Sequence, residues 1–223
     1  MSYETHADLG GQLGHGAVRP EPEGELFHAA WEPRALALTL AIGATGAWNI
    51  DMSRAARETL PDYARLGYYE IWLRALETLL LERGLLLPGE IEPGAAVGPA
   101  PAPATLPRVL KAADVAAVLA RGSPTARPGP APAYGVGDVV RLRSGPVPHH
   151  TRLPAYARGK RGTVTASHGA HVFADAHAQG VGDQPSPLYT VAFSGSDLWP
   201  GEPGAAGLTV SVDAWEPYLE RAR

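Results

Sequence analysis

Apolar residues recur at helical spacing through the first part of the chain. The stretch from Ala30 to Thr45 is rich in alanine and leucine and predicts a first helix. Asp51 and Ser53 are residue types that cap helices, so a second, short helix is predicted to run to about Thr59.

A longer amphipathic helix is predicted next. Pro61 is expected near its start, where proline lacks only an N–H that would have no partner anyway. Gly84 is expected to end the helix. The apolar positions at helical spacing are Tyr69, Trp72, Leu73, Leu76, Leu79 and Leu80.

Proline, alanine and glycine then dominate residues 93–133, which read GAAVGPAPAPATLP and GSPTARPGPAPA on either side of an amphipathic piece, Val109 to Arg121. Two interpretations stay open for this segment. One is a flexible tether. The other is an arm that packs on a partner, since long segments are rarely idle in compact domains. Its apolar contacts would be Val109, Leu110, Val115, Val118 and Leu119.

The pattern becomes alternating after residue 134. Four short strands are predicted, joined by glycine and proline turns, which is typical of a small SH3-like β barrel. The strands begin at Val136, Gly162, Leu188 and Leu208. The predicted fold class is α+β, with an N-terminal helical domain over 1–92, a Pro/Ala-rich arm over 93–133 and an SH3-like β barrel over 134–223.

Composition excludes several classes of partner. The 223 residues carry a net charge of −4, so nucleic acid is not expected as a partner. The longest apolar stretch, Ala35 to Ala47, is too short to span a bilayer. The chain has no cysteine, which excludes disulfides and thiolate ligands and fits a reducing compartment. We therefore expect a cytoplasmic protein with no membrane partner.

No self-contained catalytic site is predicted. The glycines of GGQLGHG, Gly10 to Gly16, neither follow a strand nor lead directly into a helix, so they do not predict a phosphate loop. Three histidines spaced H-x2-H-x5-H are interpreted as loop residues, because a zinc site would need a fourth ligand. These are His168, His171 and His177. No metal site is expected in this chain.

Motifs in both halves of the chain nevertheless form a recognisable series. The C-terminal half contains VPHHTRLPAYARGKRGTV, VFAD, LYTVAF and VDAWEPYLE, and the N-terminal half contains GGQLGHG, FHAAWE, WNID, SRAARE and YYEIWLRALETLLLERGL. In this order they resemble the β subunit of nitrile hydratases over nearly the whole chain except the linker. The chain departs from the family pattern at residues 58–63, which are slightly short, and this affects the expected pocket wall near Tyr63.

The resemblance implies a hydro-lyase subunit that helps to add water to a nitrile, giving an amide. In the family the metal is Co(III) or Fe(III), held by the α subunit through three cysteines and two backbone nitrogens, with two cysteines oxidised to sulfinic and sulfenic acids. This chain would bind no cofactor itself and would be inactive alone. Its partner would be that α subunit, in an αβ heterodimer paired into a heterotetramer. Trp72 stands where cobalt-type relatives carry tryptophan, which favours cobalt.

The resemblance also assigns site residues. Arg54 and Arg152 match the family arginines that reach the oxidised cysteine oxygens, and a planar guanidinium suits such an oxyanion. Tyr68 would form a hydrogen bond near the metal-bound oxygen. Tyr68 and Trp72 are four residues apart, so they share one helix face. The residues expected to contact the substrate are Trp72, Ile50 and Tyr63.

The barrel motif contains further side chains that are expected to support the site or the interface rather than take part in the chemistry. These are His150, Tyr156, Arg158 and Lys160. For His150, simple packing is an equal alternative.

Three other functions remain open. A subunit of thiocyanate hydrolase would resemble this chain, but there the two halves are separate chains. A metallochaperone or activator would resemble one half. An SH3-like interaction module with a helical cap would have no enzyme context. Co-purification of a cysteine-rich α subunit would separate them.

Overall fold

The computed structural model describes residues 4–12, 14–99 and 106–222. These residues form two compact units. The helical unit comprises residues 4–7, 14–99 and 106–122, and the β unit comprises residues 8–12 and 123–222. One unit is built from helices and the other contains an antiparallel sheet, so the predicted α+β class is confirmed.

Four α-helices form the helical unit: α1 (Glu32–Gly43), α2 (Ile50–Glu58), α3 (Tyr68–Glu82) and α4 (Val115–Arg121). Helices α1 and α2 both pack against α3. The buried centre contains Trp48, Leu76 and Leu79. None of the helices in the described ranges has the length and hydropathy needed to cross a bilayer.

The start of α3 corrects the prediction for Pro61. The helix begins at Tyr68, and Pro61 lies in a preceding turn, followed by a 3-10 turn at Tyr63–Arg65. Gly67 occupies the N-cap position, and its N–H donates to the Glu70 carboxylate at 2.7 Å. A carboxylate three residues into a helix satisfies a backbone donor that has no other partner, so this local contact sets the start of the helix.

The predicted arm contains less helix than its sequence suggested. Helix α4 begins at Val115 rather than Val109, after a 3-10 turn at Ala112–Asp114. Part of the arm, residues 100–105, lies outside the described residues. The Arg108 N–H donates to the Thr45 carbonyl at 3.1 Å. Whether the segment is a tether or a partner-binding arm stays a prediction.

Five antiparallel strands form the sheet of the β unit, in the order β4-β3-β2-β1-β5. They are β1 (Val139–Leu142), β2 (Arg161–His171), β3 (Ser186–Ser194), β4 (Thr209–Trp215) and β5 (Leu219–Arg221). Two short helices, α5 (Ala174–Ala178) and α6 (Gly195–Leu198), lie before and after β3. Strand β2 is longer than predicted, and its register with β3 shifts twice. Strand β5 was not predicted.

Alternate residues of all five strands point into one core. Val164 on β2 lies opposite Val191 on β3, which in turn lies opposite Val212 on β4. Leu142 of β1 and Leu219 of β5 are paired and buried in the same cluster. Among the described residues no pairing joins β4 to β5, so the sheet is not closed by hydrogen bonds.

Residues 8–12 belong to the β unit, which the sequence did not predict. The Asp8 carboxylate accepts from the Ala155 N–H at 2.9 Å and lies 3.4 Å from the Arg158 guanidinium. Gly10 lies against the Tyr156 ring, where an added Cβ would come within 2.7 Å of the ring. The first glycine of GGQLGHG therefore allows close packing against Tyr156, in the 3-10 turn Ala155–Ala157.

Gly162 provides a test of this packing. A Cβ at this position would lie 2.6 Å from Val191 Cγ1 and 2.8 Å from the Ala192 carbonyl oxygen, which is backbone and cannot simply turn away. We expect Gly162→Ala to lower the free energy of unfolding by about 1–3 kcal/mol in urea denaturation. Gly135→Ala is the control, since its nearest atom would be 4.0 Å away. Equal stability of the two variants would contradict the packing described.

Candidate functional site

Helix α2 carries Arg54, and its N-terminus is capped by Asn49 rather than by the predicted Asp51 or Ser53. The Asn49 side-chain oxygen accepts from the N–H groups of Asp51 and Met52 at 3.0 and 2.9 Å. Asp51 and Ser53 lie inside the helix and are buried. Their side chains are used instead to hold the two arginines of the helix.

Arg54 is held by a neighbour on its own helix. Its Nη1 donates to the buried Asp51 carboxylate at 2.7 Å, one turn earlier. The Arg54 side chain is still 42% exposed. A guanidinium carries five N–H donors, so the contact with Asp51 orients the group and leaves donors for another anion.

Four aromatic rings form a cluster around the start of α3, here called the aromatic cluster: Phe27, Tyr68, Tyr69 and Trp72. The rings of Tyr68 and Trp72 have centroids 5.4 Å apart, so the predicted shared face is confirmed. Tyr69 lies between them, 5.9 Å from Trp72 and 5.6 Å from Phe27. Tyr68 is 65% exposed, which makes it the member of the cluster best placed to meet another molecule.

Arg57 supports this cluster and was missed by the sequence analysis. Its guanidinium carbon lies 4.2 Å from the centroid of the Trp72 ring, a cation–π geometry. Arg57 Nη2 also donates to Ser53 at 3.1 Å. Burial lowers the pKa of Arg57, and the positive charge of Arg54 adds to this effect, whereas Tyr68 and Tyr63 oppose it. No local spacing could have indicated the contact, because Arg57 and Trp72 lie on different helices.

The two remaining predicted pocket residues also lie in the helical unit. Ile50 is the first residue of α2 and is 42% exposed. Tyr63 opens the 3-10 turn before α3 and is half-buried. An ionised Tyr63 phenolate would raise the pKa of Arg57, so this phenol lies near the Arg57 guanidinium.

Arg152 lies in the β unit, in the loop between β1 and β2. Its side chain is exposed, and within the described part of its own unit no residue forms a hydrogen bond or ion pair with the guanidinium. Its backbone, in contrast, is held: the Arg152 N–H donates to the Tyr218 hydroxyl at 3.1 Å. The next residue, Leu153, is buried in the core.

Tyr218 is the centre of the hydrogen bonds beneath this loop. Its hydroxyl donates to the Asp175 carboxylate and accepts from the Thr151 hydroxyl at 3.2 Å. Burial raises the pKa of Tyr218, as does the negative charge of Asp175. Burial also raises the pKa of Asp175, although its hydrogen bond with Tyr218 opposes the shift. The phenol therefore keeps its proton and donates it to the carboxylate.

Among the residues expected to support the barrel, Arg158 and Tyr156 make side-chain contacts within the β unit, whereas Lys160 contributes its backbone carbonyl. Arg158 Nη2 donates to the Leu153 carbonyl at 3.1 Å, and the rings of Tyr156 and Trp199 lie 5.6 Å apart. The Lys160 carbonyl accepts from the Leu142 N–H at 3.0 Å. His150 is buried within the loop that carries Arg152.

The three spaced histidines are not loop residues. His168 and His171 lie on β2, where they contact Thr190 at 2.8 Å and Thr125 at 3.0 Å, and His177 lies on α5. Across the described ranges, no group of three or more His, Cys, Asp or Glu side chains could hold a metal ion.

Comparison with known proteins decides the family. The model of the nitrile hydratase β-subunit N-terminal region matches residues 3–115, and that of the C-terminal region matches residues 123–221. The chain belongs to the nitrile hydratase β-subunit family. Both halves predicted from the motifs therefore match the same family, and the nitrile hydratase interpretation of the sequence is confirmed.

Individual nitrile hydratase subunits are similar over nearly their full length. The low-molecular-weight cobalt-containing nitrile hydratase subunit β of Rhodococcus rhodochrous is 37% identical, covering 95% of this chain and 96% of that subunit. The nitrile hydratase subunit β of Pseudomonas putida is 37% identical over 96% of this chain and 98% of that subunit. The thiocyanate hydrolase subunit α of Thiobacillus thioparus is a more distant relative, 32% identical over 40% of this chain and 71% of that subunit.

The Asn49 cap can be tested without a partner. Asn49→Ala removes the acceptor for two N–H groups at the start of α2, so we expect the free energy of unfolding to fall by about 1 kcal/mol. Thermal unfolding followed by circular dichroism measures the change. Asn49→Asp keeps a side-chain oxygen at the same position and should lose far less. If the two variants lose the same stability, the cap is not the reason for the start of α2.

Proposed function

We propose that this chain is the non-metal-binding subunit of a nitrile hydratase that converts small nitriles to amides. The observation that carries the proposal is Arg152, an exposed guanidinium on a firmly held backbone. Such an arrangement suits a side chain that completes a site on another subunit. Full-length similarity to nitrile hydratase β subunits supports the same conclusion.

The metal would be held by the α subunit. The chain contains no cysteine, so any thiolate ligand must come from the partner. What this chain offers instead is guanidinium groups, which match oxidised, anionic cysteine ligands by charge and by planar geometry. Relatives named as cobalt-containing, together with Trp72, favour Co(III) over Fe(III). When bound, the metal supplies Lewis-acid chemistry to the reaction.

Arg54 and Arg152 would hold the oxygens of the partner's oxidised cysteines. Each charge-assisted hydrogen bond contributes roughly 1.5–3 kcal/mol. Sulfenic acid is otherwise prone to further oxidation, so fixed donors also protect it. The contact between Arg54 and Asp51 orients the first guanidinium before the partner binds.

The aromatic cluster would form one wall of the substrate pocket. Trp72, held in place by Arg57, would contact the organic group of the nitrile, with Ile50 and Tyr63 at the border of the pocket. The Tyr68 hydroxyl would form a hydrogen bond near the reacting atoms. Its high exposure in this chain supports a role at a surface that the α subunit covers.

Exposed apolar side chains support an extensive interface with the α subunit. They occur on α1, on the arm and at the pocket wall, and include Trp31, Leu38, Leu40, Val109 and Leu119. We propose an αβ heterodimer that buries more than ~2,000 Å² in total, paired into a heterotetramer.

We also propose that the β unit is an SH3-like barrel. The strand order β4-β3-β2-β1-β5 and the single core shared by all five strands support it. The division at residues 1–92, 93–133 and 134–223 and the cytoplasmic location stay predictions.

The purified chain alone should bind no catalytic metal and hydrate no nitrile, because it lacks thiolate ligands. The measurement is metal analysis and an amide-formation assay on the isolated chain and on the complex co-expressed with a cysteine-bearing α subunit. We expect metal and activity in the complex alone. Stoichiometric cobalt or iron on the isolated chain would contradict the proposal.

Replacing Arg54 or Arg152 by lysine should distinguish the contribution of positive charge to turnover from that of the planar guanidinium geometry. Lysine keeps a positive charge but has no planar pair of donors, so Arg152→Lys and Arg54→Lys should assemble and retain metal. We expect each to lose at least ~10-fold in kcat, the equivalent of one charge-assisted hydrogen bond. The controls are Arg143→Lys and Arg74→Lys, exposed arginines of the same two units. Near-full rates in both test variants, with metal bound, would show that the chain is a scaffold.

A further inference from the structure

We propose that Tyr218, Asp175 and Thr151 are positioning residues that fix the backbone of Arg152 for its role at the shared site. These three residues are called the Tyr218 clamp below. The inference rests on the proposed function of Arg152 and adds to it the device that aims the side chain.

The hydroxyl of Tyr218 uses its hydrogen-bonding capacity fully. It donates its proton to Asp175 and accepts from the Arg152 N–H at 3.1 Å and the Thr151 hydroxyl at 3.2 Å. Tyr218 and Asp175 are each 4% exposed, so water does not replace these bonds. A buried phenol with one donated and two accepted bonds has a single satisfied orientation.

The backbone after Arg152 is held as well. The Leu153 N–H donates to the Thr151 hydroxyl at 3.2 Å, and the Leu153 carbonyl accepts from Arg158 at 3.1 Å. The Leu153 side chain is buried in the core. Both neighbours of Arg152 are therefore immobilised, and the side-chain torsions are the freedom that remains. Catalytic geometry depends on such support, because small displacements of a reacting group are costly.

The same unit contains a second phenol clamp of matching chemistry away from Arg152. Tyr189 donates to the Glu216 carboxylate at 2.5 Å and accepts from the Ala133 and Tyr134 N–H groups at 3.0 and 3.3 Å. Its ring is also fully buried. Tyr189 fixes residues 133 and 134, which have no part in the proposed site, so Tyr189→Phe is a matched control for the loss of a buried hydroxyl.

The first test measures hydrogen exchange of backbone amides in the full-length chain, without reference to activity. Tyr218→Phe should speed exchange at residues 152 and 153 and leave residues 133 and 134 protected. Tyr189→Phe should have the opposite pattern. Unchanged protection of residues 152 and 153 in a folded Tyr218→Phe chain would overturn the proposal.

The second test measures kinetics in the complex co-expressed with the α subunit. Tyr218→Phe should lower kcat by ~10- to 100-fold, with KM changed less than about threefold, because the lost interaction acts in the transition state. Tyr189→Phe should retain kcat within about twofold. Thr151→Val, which removes one hydroxyl from a half-buried position, is the milder variant if Tyr218→Phe does not assemble, and it should also lower kcat more than KM. Equal losses in Tyr218→Phe and Tyr189→Phe would mean that activity follows stability, which would overturn the inference.

A double variant separates this inference from the proposed function. In an Arg152→Lys background, adding Tyr218→Phe should lower kcat by less than about twofold further, since the arginine side chain that Tyr218 positions is already absent. If Arg152→Lys itself retains its rate, the proposed role of Arg152 fails. If Arg152→Lys loses turnover while an assembled Tyr218→Phe complex keeps it, the positioning inference alone fails.

Discussion

The buried Tyr218 hydroxyl, through its hydrogen bonds with Asp175 and Thr151, joins three segments that are far apart in the chain. Asp175 lies on α5 beyond the end of β2, Tyr218 lies between β4 and β5, and Thr151 belongs to the loop between β1 and β2. Without such contacts, a surface loop that carries an exposed arginine would be mobile. One phenol oxygen accepts from two neighbouring residues of that loop. Tyr218, which lies between β4 and β5, therefore fixes the position of the Arg152 backbone.

In the helical unit, a contact between residues close in sequence orients the arginine. Arg54 is oriented by Asp51 one turn away, and the helix that carries both begins at the Asn49 cap. Arg57 ties this helix to Trp72 through the face of the indole ring. Under the proposed function, the subunit would help to define the reaction site in this way, by presenting long cationic and aromatic side chains from backbones that are already fixed.

Local patterns predicted what depends on near neighbours. The spacing of Tyr68 and Trp72 gave their shared face, and alternation located β3 and β4 to within a few residues. The prediction of a helix start was wrong where a different local contact determines the start. Pro61 suggested a helix start, but the contact between Gly67 and Glu70 sets it at Tyr68. Contacts between residues distant in sequence produce no local sequence pattern and could not be predicted. Examples are the pairs Arg57 with Trp72 and Tyr218 with Asp175.

The most direct measurement of the central claim is an experimental structure of the complex with the metal-bearing α subunit. The account predicts that the guanidinium groups of Arg54 and Arg152 lie within hydrogen-bond distance, about 2.7–2.9 Å, of oxygens on the partner's oxidised cysteines. It also predicts that the Arg152 N–H and the Thr151 hydroxyl keep the hydrogen bonds to Tyr218 described for the chain alone. Guanidinium groups directed into solvent, or a rearranged loop that has left Tyr218, would contradict it.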